Sequence, residues 1–207
     1  MPTLSLMAVG WGDFMQDVKN FLPAQYYHTN KLAINHNYLA EQFADYEEIF
    51  ENLKEVVQKG DYTLGEAVDH LEYQFKHIIG TKNAIAVGSG TDALFLSLKA
   101  LGVGEGDEVI TTPFTFYATI GAIVTVGAIP VFADIRNDYN IDVEQIRKKI
   151  TKKTKAMLPV HWAGKPCEMD AIIELANQHG LFIVEDACHA IKATYKNQYA
   201  GSFGNLE

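Results

Sequence analysis

An α/β fold with a mostly parallel sheet and helices on both faces is the class this chain predicts, and three observations carry the prediction. Five short apolar runs alternate with helical segments. The runs hold few polar residues, as strands buried on both faces do. Most of the helical segments stop at a glycine. Such alternation implies right-handed βαβ units.

Residues 1–33, with Gly10, Gly12, Pro23 and a Tyr26-Tyr27-His28 cluster, show no sustained period and are read as an extension ahead of one folding unit at 34–207. From Asp45 the pattern is regular. Ile49, Phe50, Leu53, Val56 and Val57 recur at helical spacing, Asp45 and Glu48 form a capping-box signature, and Gly60 ends the run. A second helix places Val68, Leu71, Phe75, Ile78 and Ile79 on one face and stops at Gly80.

Strands are then expected at Ala84–Val87, Glu108–Thr112, Ile129–Ala133, Ala156–Val160 and Leu181–Glu185. Between them fall helices at Thr91–Leu101, Thr115–Val126, Val143–Ile150 and Asp170–His179. Gly102, Gly127 and Gly180 stop three of these, and Asp142 with Gln145 opens the third. Gly201 to Glu207 carry neither a helix stop nor a strand end.

Charge and composition exclude several function classes. Seventeen basic residues stand against 26 acidic ones, a net charge of −9, with no Lys/Arg stripe to attract a phosphate backbone, so nucleic acid is not an expected partner. No apolar stretch approaches the roughly 18 residues of a membrane-spanning helix. The apolar run Leu4 to Val9 lacks a preceding basic residue and is soon followed by Asp13 and Asp17, unlike a secretory signal. The only cysteines, Cys167 and Cys188, form no Cys-x-x-Cys pair, and a reducing cytoplasm is the expected setting.

In a parallel α/β sheet, ligands collect outside the carboxyl ends of the strands. Those positions hold Gly88-Ser89-Gly90-Thr91, Pro113 to Phe116, Asp134, His161, and Asp186 with His189. The glycine turn lets backbone approach a ligand, and its N–H groups open a helix whose dipole favours an anion. With Asp92 and Ala93 the stretch also spells G-x-G-x-x-A, a dinucleotide fingerprint. Against that reading, Asp107-Glu108 begins the second strand instead of ending it. A phosphate-binding turn, a dinucleotide turn and a structural turn remain the three alternatives.

Asp186 follows the apolar run Leu181 to Val184 and needs a cationic partner or several donors to stay ionised at a buried sheet edge. It either caps a helix from Ala187 onward or pairs with a protonated heterocyclic nitrogen of a cofactor. His189, three residues on, reaches the same crevice if the segment is helical. His161 either faces that crevice or packs its loop, and Phe114 and Phe116 each offer a flat face or a core side chain. A zinc set of His161, Cys167, Cys188 and His189 fits no common spacing, so no metal site is expected.

Taken in order, these motifs resemble the sugar aminotransferase branch of the fold-type I enzymes that use pyridoxal 5′-phosphate (PLP), the DegT/DnrJ/EryC1/StrS family. The stretches that carry the resemblance are Gly60-Asp61-Tyr62-Thr63-Leu64-Gly65, Gly88-Ser89-Gly90-Thr91-Asp92-Ala93-Leu94 and Gly106-Asp107-Glu108-Val109-Ile110-Thr111, followed by Pro159-Val160-His161-Trp162-Ala163-Gly164, Glu185-Asp186-Ala187-Cys188-His189-Ala190 and Gly201-Ser202-Phe203-Gly204.

The resemblance implies that 34–207 is part of the large PLP-binding domain, truncated. It implies that Gly90 and Thr91 hold the cofactor phosphate, Phe116 stacks on the pyridine ring, and Asp186 binds the ring nitrogen with His189 nearby. It further implies a homodimer that moves an amino group from glutamate to a nucleotide-linked keto sugar. The family's Schiff-base lysine lies shortly after Gly-Ser-Phe-Gly, so it is expected beyond Glu207; Lys192 and Lys196 are not assigned that role. The family's smaller C-terminal domain is not represented. The expected reading is therefore an N-terminal part of such an enzyme. Its alternatives are a PLP-dependent sugar dehydratase, with histidine for the lysine, a non-catalytic truncated member or binding partner, and a nicotinamide dehydrogenase.

Overall fold

The computed structural model describes residues 39–206, and the extension assigned to residues 1–33 lies outside them. The described residues fall into two compact units, one ending at Gln58 and the other starting at Lys59.

The first unit holds α1 (Leu39–Gln42) and nearly all of α2 (Tyr46–Lys59). Acidic Glu47 and Glu48 in the first turn of α2 and Lys59 in its last complement the helix dipole. The predicted apolar face forms, yet α2 buries no residue: Ile49, Phe50, Leu53 and Val57 all stay exposed.

The second unit begins with α3 (Glu66–Ile79), ended by Gly80 in the left-handed region at φ 85° with its N–H on the Lys76 carbonyl. It continues with α4 (Gly90–Ala100), β1 (Glu108–Thr111), α5 (Tyr117–Thr125), β2 (Ile129–Phe132), α6 (Val143–Lys149), β3 (Thr154–Leu158), α7 (Met169–His179) and β4 (Phe182–Ile183). The four strands form one sheet in the order β2-β1-β3-β4, and every pairing is parallel. Adjacent residues of a strand enter opposite cores. Val109, Ala156, Leu158 and Val184 pack with Leu94 and Leu98 of α4 and Ile123 of α5. Ile110, Met157 and Ile183 pack with Ile146 of α6 and Ile172 and Leu175 of α7. This period of two is what puts helices on both faces of the sheet. Among the described residues no helix is long and apolar enough to cross a membrane.

One expected strand is missing. Ala84–Val87 has no strand beside it among the described residues, Ile85 is 79% exposed, and the Ala86 N–H goes to the Glu72 carboxylate at 2.7 Å. An apolar run becomes a strand only when a neighbour takes its backbone groups. On the open side of β4, Leu206 instead forms a parallel bridge to Val184. A hairpin of β5 (Thr194–Tyr195) and β6 (Gln198–Tyr199) was not foreseen; it turns on Lys196 and Asn197, both at positive φ as a two-residue hairpin requires.

Candidate functional site

At the carboxyl edge of the sheet a cavity of about 240 Å³ is lined by Gly90, Thr91, Phe116, Asp186 and His189, the five residues singled out from the sequence, together with Thr115, Thr119, Trp162 and Cys188. One end is the start of α4. Ser89 is the N-cap: its Oγ accepts the Asp92 N–H at 3.1 Å and donates to Asp92 Oδ2 at 2.9 Å, which ties that carboxylate back onto the cap. A Cβ on Gly88 would stand 2.9 Å from the same oxygen, so only glycine leaves room for the clasp. Among the described residues the N–H groups of Gly90 and Thr91 take no partner. Two unsatisfied donors at the positive end of a helix make an anion seat.

Asp186 lines the same cavity and is 7% exposed. Its backbone is pinned beyond β3, with its N–H on the Pro159 carbonyl at 2.9 Å and its carbonyl taking the His161 N–H at 3.1 Å. Its Oδ2 accepts from Thr119 Oγ1 at 2.8 Å. Because Thr119 spends its one hydroxyl proton there, Thr115, whose hydroxyl lies 2.8 Å from it, must donate to Thr119. Oδ1 takes a long 3.4 Å contact from the Cys188 N–H and keeps acceptor capacity for a ligand. No helix follows: 188–189 and 191–192 are turns separated by irregular residues, so the capping alternative for Asp186 falls. His189 meets Trp162 edge to face at 5.5 Å between ring centroids.

Other candidates lie elsewhere. His161 is fully buried and turned away from the cavity; its Nδ1 accepts the Cys167 N–H at 3.1 Å, which leaves Nε2 to donate to Glu185 at 2.9 Å. Cys167 is buried beside it, whereas Cys188 and His189 line the cavity, so the four residues of the zinc reading do not come together. Burial, reinforced by the Asp186 charge, pushes the Cys188 thiol up to about 11, which keeps it protonated and a poor nucleophile at neutral pH. Asp134 serves its own turn, with Oδ1 on the Ile135 N–H at 2.8 Å. Phe116 lines the cavity and is 61% exposed; Phe114 instead packs on Tyr139 and Trp162. Lys192 does not line the cavity, and Lys196 pairs with Asp170.

The model of the DegT/DnrJ/EryC1/StrS aminotransferase family matches residues 44–207. The chain belongs to this family. The spore coat polysaccharide biosynthesis protein SpsC of Bacillus subtilis is 47% identical over 159 residues, which are 76% of this chain and 41% of SpsC. A family aminotransferase from Brucella abortus matches with a TM-score of 0.78 at 34% identity, over 83% of this chain and 48% of that one. The putative sugar aminotransferase Spr1654 of Streptococcus pneumoniae, solved in its PLP form, matches with a TM-score of 0.69 at 33% identity, over 73% and 44%. The chain thus spans less than half the length of each of these relatives.

Two residues that matter to this family member escaped the sequence reading. Thr119 lies one helical turn after Thr115 in an apolar segment, and that i, i+4 polar pair was an available signal. Glu185, fully buried, accepts the N–H groups of Phe203 and Gly204 at Oε1 and of Gly201 at Oε2, in addition to His161. An acid ending so apolar a run was its signal.

Proposed function

We propose that this chain forms the cofactor-binding part of a PLP-dependent aminotransferase that moves an amino group from glutamate to the keto group of a nucleotide-linked sugar. The observation that carries the reading is the pairing of two groups in one cavity: among the described residues, unpartnered N–H groups of Gly90 and Thr91, and an Asp186 carboxylate fixed by Thr119 whose Oδ1 takes only a long contact from the Cys188 N–H. PLP carries the matching groups, a phosphate, a flat ring and a basic ring nitrogen. The residues present therefore fit the cofactor. A homodimer in a reducing cytoplasm is the setting that accords with the family and with free Cys167 and Cys188.

When bound, PLP supplies an electron sink for negative charge developing on the substrate carbon. The chain's own residues supply the rest. Gly90 and Thr91, with the α4 dipole, bind the phosphate. Phe116 gives a face to the ring. Asp186 holds a proton on the ring nitrogen, because a carboxylate within hydrogen-bond reach favours the charged form of the base. The Thr115 and Thr119 hydroxyls keep that carboxylate aimed.

The direct test is titration of the purified chain with PLP, followed by the cofactor's absorbance; an absence of saturable binding would count against the proposal. Phe116→Ala is expected to weaken that binding by about 3- to 10-fold with an unchanged melting temperature, since the ring is mostly exposed. A collapsed melting temperature with normal affinity would make Phe116 a packing residue instead. Thr119→Val keeps the shape and removes the donor. It is expected to shift the absorbance of bound PLP and weaken binding by about 5-fold, with Thr119→Ser restoring both. An unchanged spectrum in the valine variant would remove Thr119 from the site.

A further inference from the structure

From His189 at the cavity a row of aromatic rings runs outward: Trp162 at 5.5 Å between centroids, Phe114 a further 4.6 Å on, and Tyr139 5.4 Å beyond that, nearly parallel to Phe114 at 28°. Phe114 is 38% and Tyr139 55% exposed, so flat apolar faces are open to solvent at the far end. Resting on the function proposed above, we infer that this row is the subsite for the planar base of the nucleotide-linked substrate.

The row is built and held. Tyr139 sits at φ 68°, a left-handed position that side-chain-bearing residues rarely take, in a turn closed by the Arg136 N–H on the Asn140 carbonyl at 2.9 Å. The next residue, Asn140, is 3% exposed. Its Nδ2 donates to the carbonyls of Lys165 and Pro166 at 3.0 and 3.1 Å, and its Oδ1 accepts the Trp162 N–H at 3.2 Å. One buried amide therefore ties the turn that carries Tyr139 to the loop that carries Trp162. That loop is itself bent by consecutive left-handed residues, Ala163 at φ 51° and Gly164 at φ 85°. Ring spacing fixed in advance lowers the ordering cost of stacking a ligand.

The surroundings select a neutral planar group over a bare anion. Lys165 reaches Asp138 at 2.8 Å, and Arg136 is shared between Asp138 and Glu168, so the nearby cations are already neutralised by carboxylates. Every nucleobase has a π-face, and stacking on aromatic side chains tolerates any of them. Because Trp162 and His189 line the cavity, a substrate whose sugar meets the cofactor there lays its base along the rings beyond them.

The test uses Trp162 fluorescence in a Trp11→Phe background, titrated with uridine and guanosine 5′-monophosphates and, as a baseless control, ribose 5-phosphate. Saturable quenching by the nucleotides and none by ribose 5-phosphate is expected. Phe114→Ala and Tyr139→Ala are each expected to weaken nucleotide binding by about 10-fold while PLP affinity and melting temperature hold. Equal binding of ribose 5-phosphate, or nucleotide affinity unmoved by Tyr139→Ala, overturns the inference. Loss of a dimer in these variants with nucleotide affinity intact also overturns it, since the rings would then be a contact between copies. Normal PLP binding without nucleotide binding sinks this inference alone, whereas nucleotide binding without PLP sinks the proposed function.

Discussion

Asp186→Asn, introduced into the complete enzyme, is expected to lower amino-group transfer by roughly 100-fold or more, the size of effect seen when a positioned electrostatic group is removed. Folding should survive. The amide oxygen can still accept from Thr119, and the amide nitrogen can occupy the place of Oδ1, which takes a long 3.4 Å contact from the Cys188 N–H in the native protein. What disappears is the negative charge that keeps a proton on the ring nitrogen, so the cofactor's power to stabilise a carbanion falls while its seat remains. Steady-state rates with melting temperature as a control decide the matter, and turnover within about twofold of the parent would strip Asp186 of the role.

Glu185→Ala is expected to be the most destabilising single change in the second unit, at about 3–5 kcal/mol, read as a lowered urea midpoint. The side chain is fully buried and, among the described residues, receives four donors, from His161 Nε2 and the backbone of Gly201, Phe203 and Gly204. Truncation leaves all four facing a dry hole, and an unmade buried hydrogen bond costs more than a made one gains. The neighbouring backbone cannot simply close in: Gly204 is packed so that a Cβ there would stand 2.8 Å from the Ile183 carbonyl oxygen. A loss below about 1 kcal/mol would mean that water reaches these groups after the truncation.

Much of this architecture could be read from the chain because local chemistry and tertiary packing agree. Gly80 and Gly180 end α3 and α7 in left-handed geometry, as helix-stopping glycines do, and of the apolar face read on α3 Ile79 is buried. Ala84–Val87 shows where this fails, since strand character belongs to a pair and one partner cannot reveal it. The β5–β6 turn was hidden because Lys196 and Asn197 take positive φ without a glycine to announce it. Position at a strand end pointed to the cavity that Asp186 lines but left His161 between crevice and loop, because it tells where a residue stands and not which way its side chain turns. Thr119 and Asp186 lie 67 residues apart, and only the packing of α5 against the sheet edge discloses their bond.

Glu185 and Asp186 are consecutive, yet one faces the core and the other the cavity, and their backbone N–H groups bond to Leu206 and Pro159 on opposite sides. A shift of a single residue in the pairing of β4 with β3 would exchange the two acids, putting the shorter one in the clamp and the longer one in the cavity. Ala156↔Phe182 and Met157↔Ile183 set that pairing and a Val160↔Asp186 bridge extends it, so an opening of this narrow seam disorders the fold's anchor and the ligand's anchor at once. A ligand paired with Asp186 as proposed would act as a latch on the sheet edge, lowering the open population of Glu185 as well, by mass action and without touching it.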